Sequence, residues 1–173
     1  MRILVTGATG FTGKALVRRM LDLGHQVVAL DHKEGYKTAE IRAWGAEVVI
    51  GSVTDQAVVR RCMRGVEIVH HVAAAFRELE APDRFYYEVN VEGTRNVLQA
   101  AFEGGVRKFV HCSTCGVHGN VAQPPADENA PINPADYYQR NKYEAEPLVQ
   151  EYVSRGLKAT ILRPAAIDRK SVV

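Results

Sequence analysis

Short apolar runs of strand length alternate with helix-length segments along the whole of this 173-residue chain. The runs are rich in Val, Ile and Leu on both faces, as strands buried between two layers of helices require. The alternation predicts β-α-β units and a single α/β domain with a doubly wound parallel sheet. Strands are predicted at 2–5, 26–30, 47–50, 68–71, 108–112 and 159–162, and helices near 12–23, 37–44, 55–63, 84–103 and 136–154.

Two segments depart from this regular pattern. Pro147 lies inside the last predicted helix, lacks a backbone N–H and clashes with the carbonyl of Tyr143, so we expect a kink or a break there with the first turns intact. The stretch 116–134 is proline-rich and is the one long irregular segment. A loop of that length in a compact domain is more often functional than idle.

Composition excludes several classes of partner. The 22 Lys and Arg residues nearly balance the 20 Asp and Glu residues, and the absence of a long basic run argues against a nucleic-acid partner. The apolar runs are shorter than the ~20 residues of a membrane span, and no leader precedes the first strand. We therefore expect a cytoplasmic protein with no membrane partner.

Three cysteines without a secretion signal argue against a disulfide framework. Cys112 and Cys115 form a C-x-x-C pair, but only Cys62 remains, whereas a structural zinc site needs a second pair. A strand end with small residues is the favoured interpretation, with redox or metal chemistry as the alternative. No metal site is predicted.

Three glycines, Gly7, Gly10 and Gly13, stand three residues apart between the first strand and the first helix. Glycine allows the tight turn and lets the backbone approach a pyrophosphate, which then lies on the helix N-terminal amides. Asp31 ends the second strand, where an adenosine ribose presents its hydroxyls. Its carboxylate repels a 2′-phosphate and so favours NAD over NADP, although Lys33 could partly accommodate the phosphate.

Tyr138 is followed four residues later by Lys142 in a helical segment, which places both side chains on one helix face. An adjacent ammonium and a nicotinamide cation would both favour the phenolate and lower the pKa of Tyr138, so that the phenol can exchange a proton with a carbinol oxygen. Ser113 and Thr114 follow the fifth strand at the edge where open α/β sheets bind ligands, and a hydroxyl there can orient the substrate oxygen.

These motifs together resemble the extended short-chain dehydrogenase/reductase superfamily, in its NAD-dependent epimerase/dehydratase branch. The matching segments are Thr6–Gly13, His71–Ala74, Asn90–Thr94, Ser113–Gly119 and Leu162–Pro164. The resemblance implies a Rossmann-like sheet in the order 3-2-1-4-5-6 and a catalytic triad of Thr114, Tyr138 and Lys142. The cofactor-binding residues that it implies are Gly7, Gly10, Phe11, Thr12, Gly13, Asp31, Ser52, Val53, Val72, Ala73, Ala74, Asn90, Tyr138, Lys142 and Pro164.

Two departures from the family pattern stand out. Ser52 replaces the aspartate that usually meets the adenine amino group. The chain also ends where the family continues into a substrate-binding C-terminal portion, and its last six residues match one translated frame of a common sequencing adapter. We expect residues 1–167 to form an NAD(P)-binding domain and 168–173 to be a non-native or disordered tail; a natural short form with a polar tail is the alternative.

The resemblance implies an NAD-dependent epimerase or dehydratase of a nucleotide sugar, inactive as this fragment alone, with a homodimer expected of the full-length parent. A reductase of a steroid-, flavonoid- or aldehyde-like carbonyl shares the same residues. A dinucleotide-sensing scaffold is the non-enzymatic alternative, and it would be expected to lack the Tyr138–Lys142 pair. Phe76, Arg77, Tyr86 and Tyr87 are candidates for the substrate side, and Glu128 with Pro131 for a loop over the pocket or a solvated turn.

Overall fold

Six parallel strands form one sheet in the order β3-β2-β1-β4-β5-β6 in the computed structural model, which describes residues 1–76 and 81–167. The strands are β1 (Arg2–Thr6), β2 (Gln26–Asp31), β3 (Glu47–Ile50), β4 (Ile68–His71), β5 (Lys108–Cys112) and β6 (Ala159–Leu162). The α-helices are α1 (Phe11–Asp22), α2 (Tyr36–Ala43), α3 (Gln56–Cys62), α4 (Asp83–Tyr87), α5 (Gly93–Glu103) and α6 (Tyr137–Ser154). A π-helix (Glu88–Glu92) joins α4 to α5, and a 3₁₀ helix (Cys115–His118) follows β5. The predicted fold class and strand order are confirmed.

Helices cover both faces of the sheet because alternate residues of each strand point to opposite sides. Leu4 faces a core shared with α3, α5 and α6, whereas Ile3 and Val5 face a second core shared with α1 and α2. Strands β2 and β3 are added on one side of β1, and β4 to β6 are added on the other side, so the strand order reverses between β1 and β4. Ligands of open α/β sheets bind outside the carboxyl ends of the strands at such a point.

Pro147 does not break α6, so the predicted break was wrong. The helix runs unbroken from Tyr137 to Ser154. Pro147 is exposed, while Ala145, Val149 and Tyr152 of the same helix are buried in the core. Packing of the buried face holds the helix together, and Pro147 lies on its exposed side.

The predicted helix at 84–103 is not one α-helix. Its middle turn widens into the π-helix before α5 begins at Gly93. A Cβ added to Gly93 would come within 2.6 Å of Val53 Cγ2, so the helix passes very close to the loop after β3. Single π-turns are often found at functional sites.

Within residues 1–76 and 81–167, no helix combines the length and the apolar character that crossing a bilayer requires. The predicted tail at 168–173 lies outside the described residues, and so does Arg77.

Candidate active site

A cleft of about 420 Å³ opens at the carboxyl edge of the sheet, over the ends of β1 to β4. Predicted cofactor residues form much of its lining, namely Gly7, Gly10, Asp31, Ser52, Val53, Val72, Ala73 and Ala74. Phe85 of α4 and Val89 of the π-helix also line the cleft. No sequence pattern predicted a role for these two residues, because their position depends on how the helices pack over the carboxyl edge of the sheet.

The glycine turn leaves no room for side chains. Gly7 has φ +66°, and a Cβ there would lie 2.8 Å from the backbone of Ala73. A Cβ on Gly13 would lie 2.0 Å from the Gly7 carbonyl oxygen. Helix α1 begins at Phe11, directly after Gly10, which has no side chain to cap it. The predicted residues Phe11, Thr12 and Gly13 therefore form the first turn of α1, and its N-terminal amides lie beside the cleft.

Asp31 ends β2, as predicted, and is 6 % exposed. Its Oδ2 accepts hydrogen bonds from the backbone N–H and the hydroxyl of Thr9, both at 2.8 Å, and its Oδ1 accepts from the His32 N–H at 2.8 Å. The carboxylate thus also fixes the glycine turn. Its Oδ1 also lies 3.2 Å from Nδ1 of the exposed His32 ring, so a ligand that binds Asp31 would approach beside this ring.

Ser52 lies in the cleft lining, but its hydroxyl has a partner within the protein. Ser52 Oγ lies 2.8 Å from Thr54 Oγ1 and accepts the Thr54 N–H at 3.1 Å. The residue that replaces the usual aspartate is therefore part of a local turn.

Buried His71 connects β1 to the π-helix through hydrogen bonds whose donors and acceptors can all be assigned. Thr94 Oγ1 donates its one hydrogen to the Asn90 carbonyl at 2.6 Å, so it must accept from His71 Nε2 at 3.0 Å. Burial, with a smaller effect of Lys142, lowers the pKa of His71 to about 3. The ring is therefore neutral, and Nδ1 accepts from Thr6 Oγ1 at 2.8 Å. The His71 ring therefore connects the end of β1 to Asn90 and Thr94.

Asn90 holds the backbone after β4 from the π-helix. Its side chain accepts from the Ala75 N–H at 2.8 Å and donates to the Ala75 carbonyl at 3.1 Å. Asn90 is completely buried and does not belong to the cleft lining. In this structure its side chain supports the Ala73–Ala75 segment, and its contact with a cofactor stays a prediction.

Tyr138 and Lys142 lie one turn apart on α6, whose first turn is capped by Asp136 through the Gln139 N–H at 2.7 Å. Lys142 is 1 % exposed. Its ammonium has no hydrogen bond or ion pair with any residue in the described part of the chain. Burial lowers the pKa of Lys142 to about 8, although Cys112 and Glu146 act in the opposite direction.

The expected lowering of the Tyr138 pKa is not found. Burial, with smaller effects of Cys112 and Asp136, raises the pKa of Tyr138 to about 12. The phenol ring lies 4.7 Å from the ring of Phe76, which is 49 % exposed. In the protein alone, removal of the phenol from water therefore determines the direction of the shift.

The two hydroxyls after β5 have different partners. Ser113 is buried and donates to Glu146 Oε1 at 2.5 Å. Thr114 begins the 3₁₀ helix, and its Oγ1 accepts the Gly116 N–H at 3.1 Å. Because accepting this bond leaves the Thr114 hydroxyl hydrogen available, Thr114 is the better placed of the two to bind a ligand oxygen.

The segment after β6 is bound to the same loop. The Pro164 carbonyl accepts the Cys115 N–H at 3.1 Å, and Arg163 reaches both Glu146 and the Glu128 carbonyl. The sequence analysis missed Glu146, although it follows Lys142 by one helical turn. The segment around Glu128 and Pro131 is thus held by Arg163.

The three cysteines are free thiols: Cys62 is buried, and Cys112 and Cys115 are partly buried. Cys112 Sγ lies 3.8 Å from the Ser113 carbonyl, and Cys115 Sγ lies 3.6 Å from that of Ala165. The part of the chain that the structure describes contains no cluster of three or more His, Cys, Asp or Glu side chains suited to a metal ion.

The profile of the NAD dependent epimerase/dehydratase family matches residues 3–167. This chain belongs to that family. The resemblance inferred from the motifs is thereby confirmed, and so is the assignment to an NAD-linked family of enzymes.

Individual relatives agree with this assignment. The chain is 36 % identical to sterol demethylase protein B of Methylococcus capsulatus, over 96 % of this chain and 52 % of that protein. It is 37 % identical to a UDP-glucose 4-epimerase of Mycolicibacterium smegmatis, over 88 % of this chain and 51 % of that protein. The chain spans about half the length of the relatives that it matches.

A similar solved structure is DesIV, a dTDP-glucose 4,6-dehydratase of Streptomyces venezuelae with NAD and TYD bound. It has a TM-score of 0.85 and 30 % identity, and the match covers 94 % of this chain and 55 % of that one. A short-chain dehydrogenase/reductase superfamily protein from Agrobacterium tumefaciens with bound NAD also has a TM-score of 0.85, at 32 % identity.

Proposed function

We propose that this chain is the NAD-binding and acid–base part of an oxidoreductase that acts on a nucleotide sugar as an epimerase or dehydratase. The observation that carries this proposal is Lys142, a fully buried cation one helical turn from Tyr138 and without a protein partner in the described residues. A buried ammonium is costly unless it is paired or hydrogen-bonded, so such a residue indicates a ligand-binding role.

The cleft fits a dinucleotide. The glycine turn and the first amides of α1 would hold the pyrophosphate, because Gly7 and Gly13 allow the backbone of the turn to pack more tightly than any side chain would permit. Asp31 would accept hydrogen bonds from the adenosine ribose and repel the 2′-phosphate of NADP. Lys142 would donate to the ribose beside the nicotinamide.

The chemistry follows from three side chains. NAD, when bound, supplies a hydride acceptor. Thr114 would orient the substrate oxygen with its free hydroxyl hydrogen, and the Tyr138 oxygen would take the proton of the substrate hydroxyl and later return it. The pKa of Tyr138 must fall from about 12 for this step, and the positive charge of a bound nicotinamide would favour the phenolate and so lower it.

Relatives support the nucleotide sugar as substrate. UDP-glucose 4-epimerases and a dTDP-glucose 4,6-dehydratase are among them, and they act by the names they carry on nucleotide sugars. The second candidate substrate is a steroid-like alcohol or carbonyl. It is favoured by the half-exposed ring of Phe76 against Tyr138 and by the relative whose name refers to a sterol.

A single-turnover experiment tests both candidates. The chain is loaded with NAD and mixed with UDP-glucose or with a 3β-hydroxysteroid, and NADH fluorescence is followed. Repeated turnover is not expected of this chain alone, but a single hydride transfer from UDP-glucose is. Tyr138→Phe should abolish its signal, whereas Tyr36→Phe, on an exposed tyrosine of α2, should leave it unchanged. A signal with the steroid alone would favour the second candidate. Bound NAD with no signal from either compound would refute both.

A further inference from the structure

We propose that Glu146 is a positioning residue of the acid–base site, whose carboxylate fastens the loop that carries Thr114 to the helix that carries Tyr138 and Lys142. The inference rests on the function proposed above for these three residues. It concerns a residue that touches neither substrate nor cofactor in that proposal.

Glu146 continues a stripe along α6. Tyr138, Lys142 and Glu146 follow one another at intervals of four residues and therefore share one face of the helix. Glu146 is 1 % exposed, so its carboxylate was removed from water on folding. Such a group is tolerated only where partners satisfy its oxygens.

The carboxylate has partners on two other segments. Ser113 Oγ donates to Oε1 at 2.5 Å from the loop after β5. Arg163, which follows β6, donates from Nε to Oε1 at 3.0 Å and from Nη2 to Oε2 at 2.5 Å. Helix α6, the Thr114 loop and the end of β6 therefore meet at one carboxylate.

The Ser113 bond has a direct consequence for Thr114. The backbone N–H of Ser113 donates to the Leu162 carbonyl at 2.7 Å, and its hydroxyl donates its only hydrogen to Glu146. Ser113 is thus held at both backbone and side chain, and Thr114 is the next residue. A displacement of about 1 Å at a reacting group can lower a rate about 10²-fold, so this attachment matters for chemistry.

Arg163 extends the same unit to the long loop. Its Nη1 donates to the Glu128 carbonyl at 2.9 Å and lies 3.0 Å from His118 Nε2. A guanidinium only donates, so Nε2 accepts, and the His118 proton resides on Nδ1, which donates to the Ala130 carbonyl at 3.0 Å. The carboxylate therefore also organises the loop that follows the 3₁₀ helix, through the arginine.

Two variants separate positioning from stability. Ser113→Ala removes the link to the Thr114 loop but keeps the ion pair between Glu146 and Arg163. Glu146→Gln keeps an acceptor for Ser113 but removes the charge that Arg163 pairs with. Glu151→Gln is the matched control, because Glu151 lies on the same helix, is exposed and pairs with Arg155.

The test is the Thr114 methyl signal in a ¹H–¹³C spectrum of the methyl-labelled full chain. We expect Ser113→Ala to shift and broaden this signal, Glu146→Gln to retain most of its wild-type position, and Glu151→Gln to leave it unchanged. A Ser113→Ala spectrum with an unmoved Thr114 signal would overturn the proposal, because the proposal requires the bond between Ser113 and Glu146 to hold Thr114 in place.

Thermal unfolding and an NAD titration on the same samples distinguish a positioning role of Glu146 from a merely structural role and from failure of the proposed function. If Glu146 were merely structural, Glu146→Gln would lower the unfolding temperature while Ser113→Ala left Thr114 in place. Failure of the wild-type chain to bind NAD would contradict the proposed function, whereas the methyl spectra would still decide whether Glu146 positions Thr114.

Discussion

Replacement of Lys142 by methionine is expected to stabilise the folded chain at pH 7 while weakening NAD binding. Burial lowers the pKa of Lys142 from 10.5 to about 8, which corresponds to about 3 kcal/mol of lost stability. Methionine has a similar length and carries no charge to desolvate. The free energy of unfolding of Lys142→Met should therefore exceed that of the wild type by up to about 3 kcal/mol.

The pH dependence gives the sign of the effect. Below pH 8 the folded chain holds the charged ammonium, so the full penalty is present. As the pH rises from about 8 to 10.5, the folded chain loses the proton before the unfolded chain does, and the wild type regains stability. The difference between the two proteins should shrink over this interval.

Urea unfolding between pH 7 and 10 measures this difference, with Lys158→Met as the control at an exposed lysine. Calorimetric titration with NAD gives the accompanying loss of affinity. A Lys142→Met protein that is less stable than the wild type, with a difference that does not change with pH, would refute the reasoning.

Three further outcomes are expected. Gly13→Ala should abolish NAD binding, because its Cβ would lie 2.0 Å from the Gly7 carbonyl, whereas Gly35→Ala meets nothing within 4 Å and should bind normally in the same titration. Asp31→Asn should narrow the gap between NAD and NADP affinities, and equal wild-type affinities for both would contradict the role of the charge. Since burial lowers the pKa of His71 from 6.5 to about 3, stability should be complete above pH 6.5 and be lost as the pH falls toward 3; His71→Gln should flatten that slope in acid unfolding curves.

Strands and helices that are marked by apolar runs or by residue spacing could be predicted from the sequence. The strands at 47–50, 68–71, 108–112 and 159–162 have the predicted bounds because continuous apolar runs leave few alternatives. Lys142 was predicted from its four-residue spacing from Tyr138, because an α-helix brings residues at that spacing close together. Its burial, however, depends on the sheet and helices that cover it.

Features set by contacts between distant segments could not be predicted in this way. No residue pattern distinguishes a π-helix from an α-helix in a sequence. This π-helix occurs where Asn90 is hydrogen-bonded to Ala75 and where Gly93 packs closely against Val53. Nothing in the sequence around Glu146 indicates that its carboxylate is buried rather than exposed. Its role depends on Arg163, which directly follows β6 and is brought next to Glu146 by the pairing of β6 with β5.

The most direct test of the account is the location of NAD on the chain, read from amide shifts in a ¹H–¹⁵N spectrum during titration. We expect shifts at the carboxyl-edge cleft, at Gly7, Asp31 and Ala73. A second cavity of about 320 Å³ lies at the other edge of the sheet, lined by residues that include Val106 and Lys158. Shifts confined to that cavity, or no shifts at saturating NAD, would contradict the account.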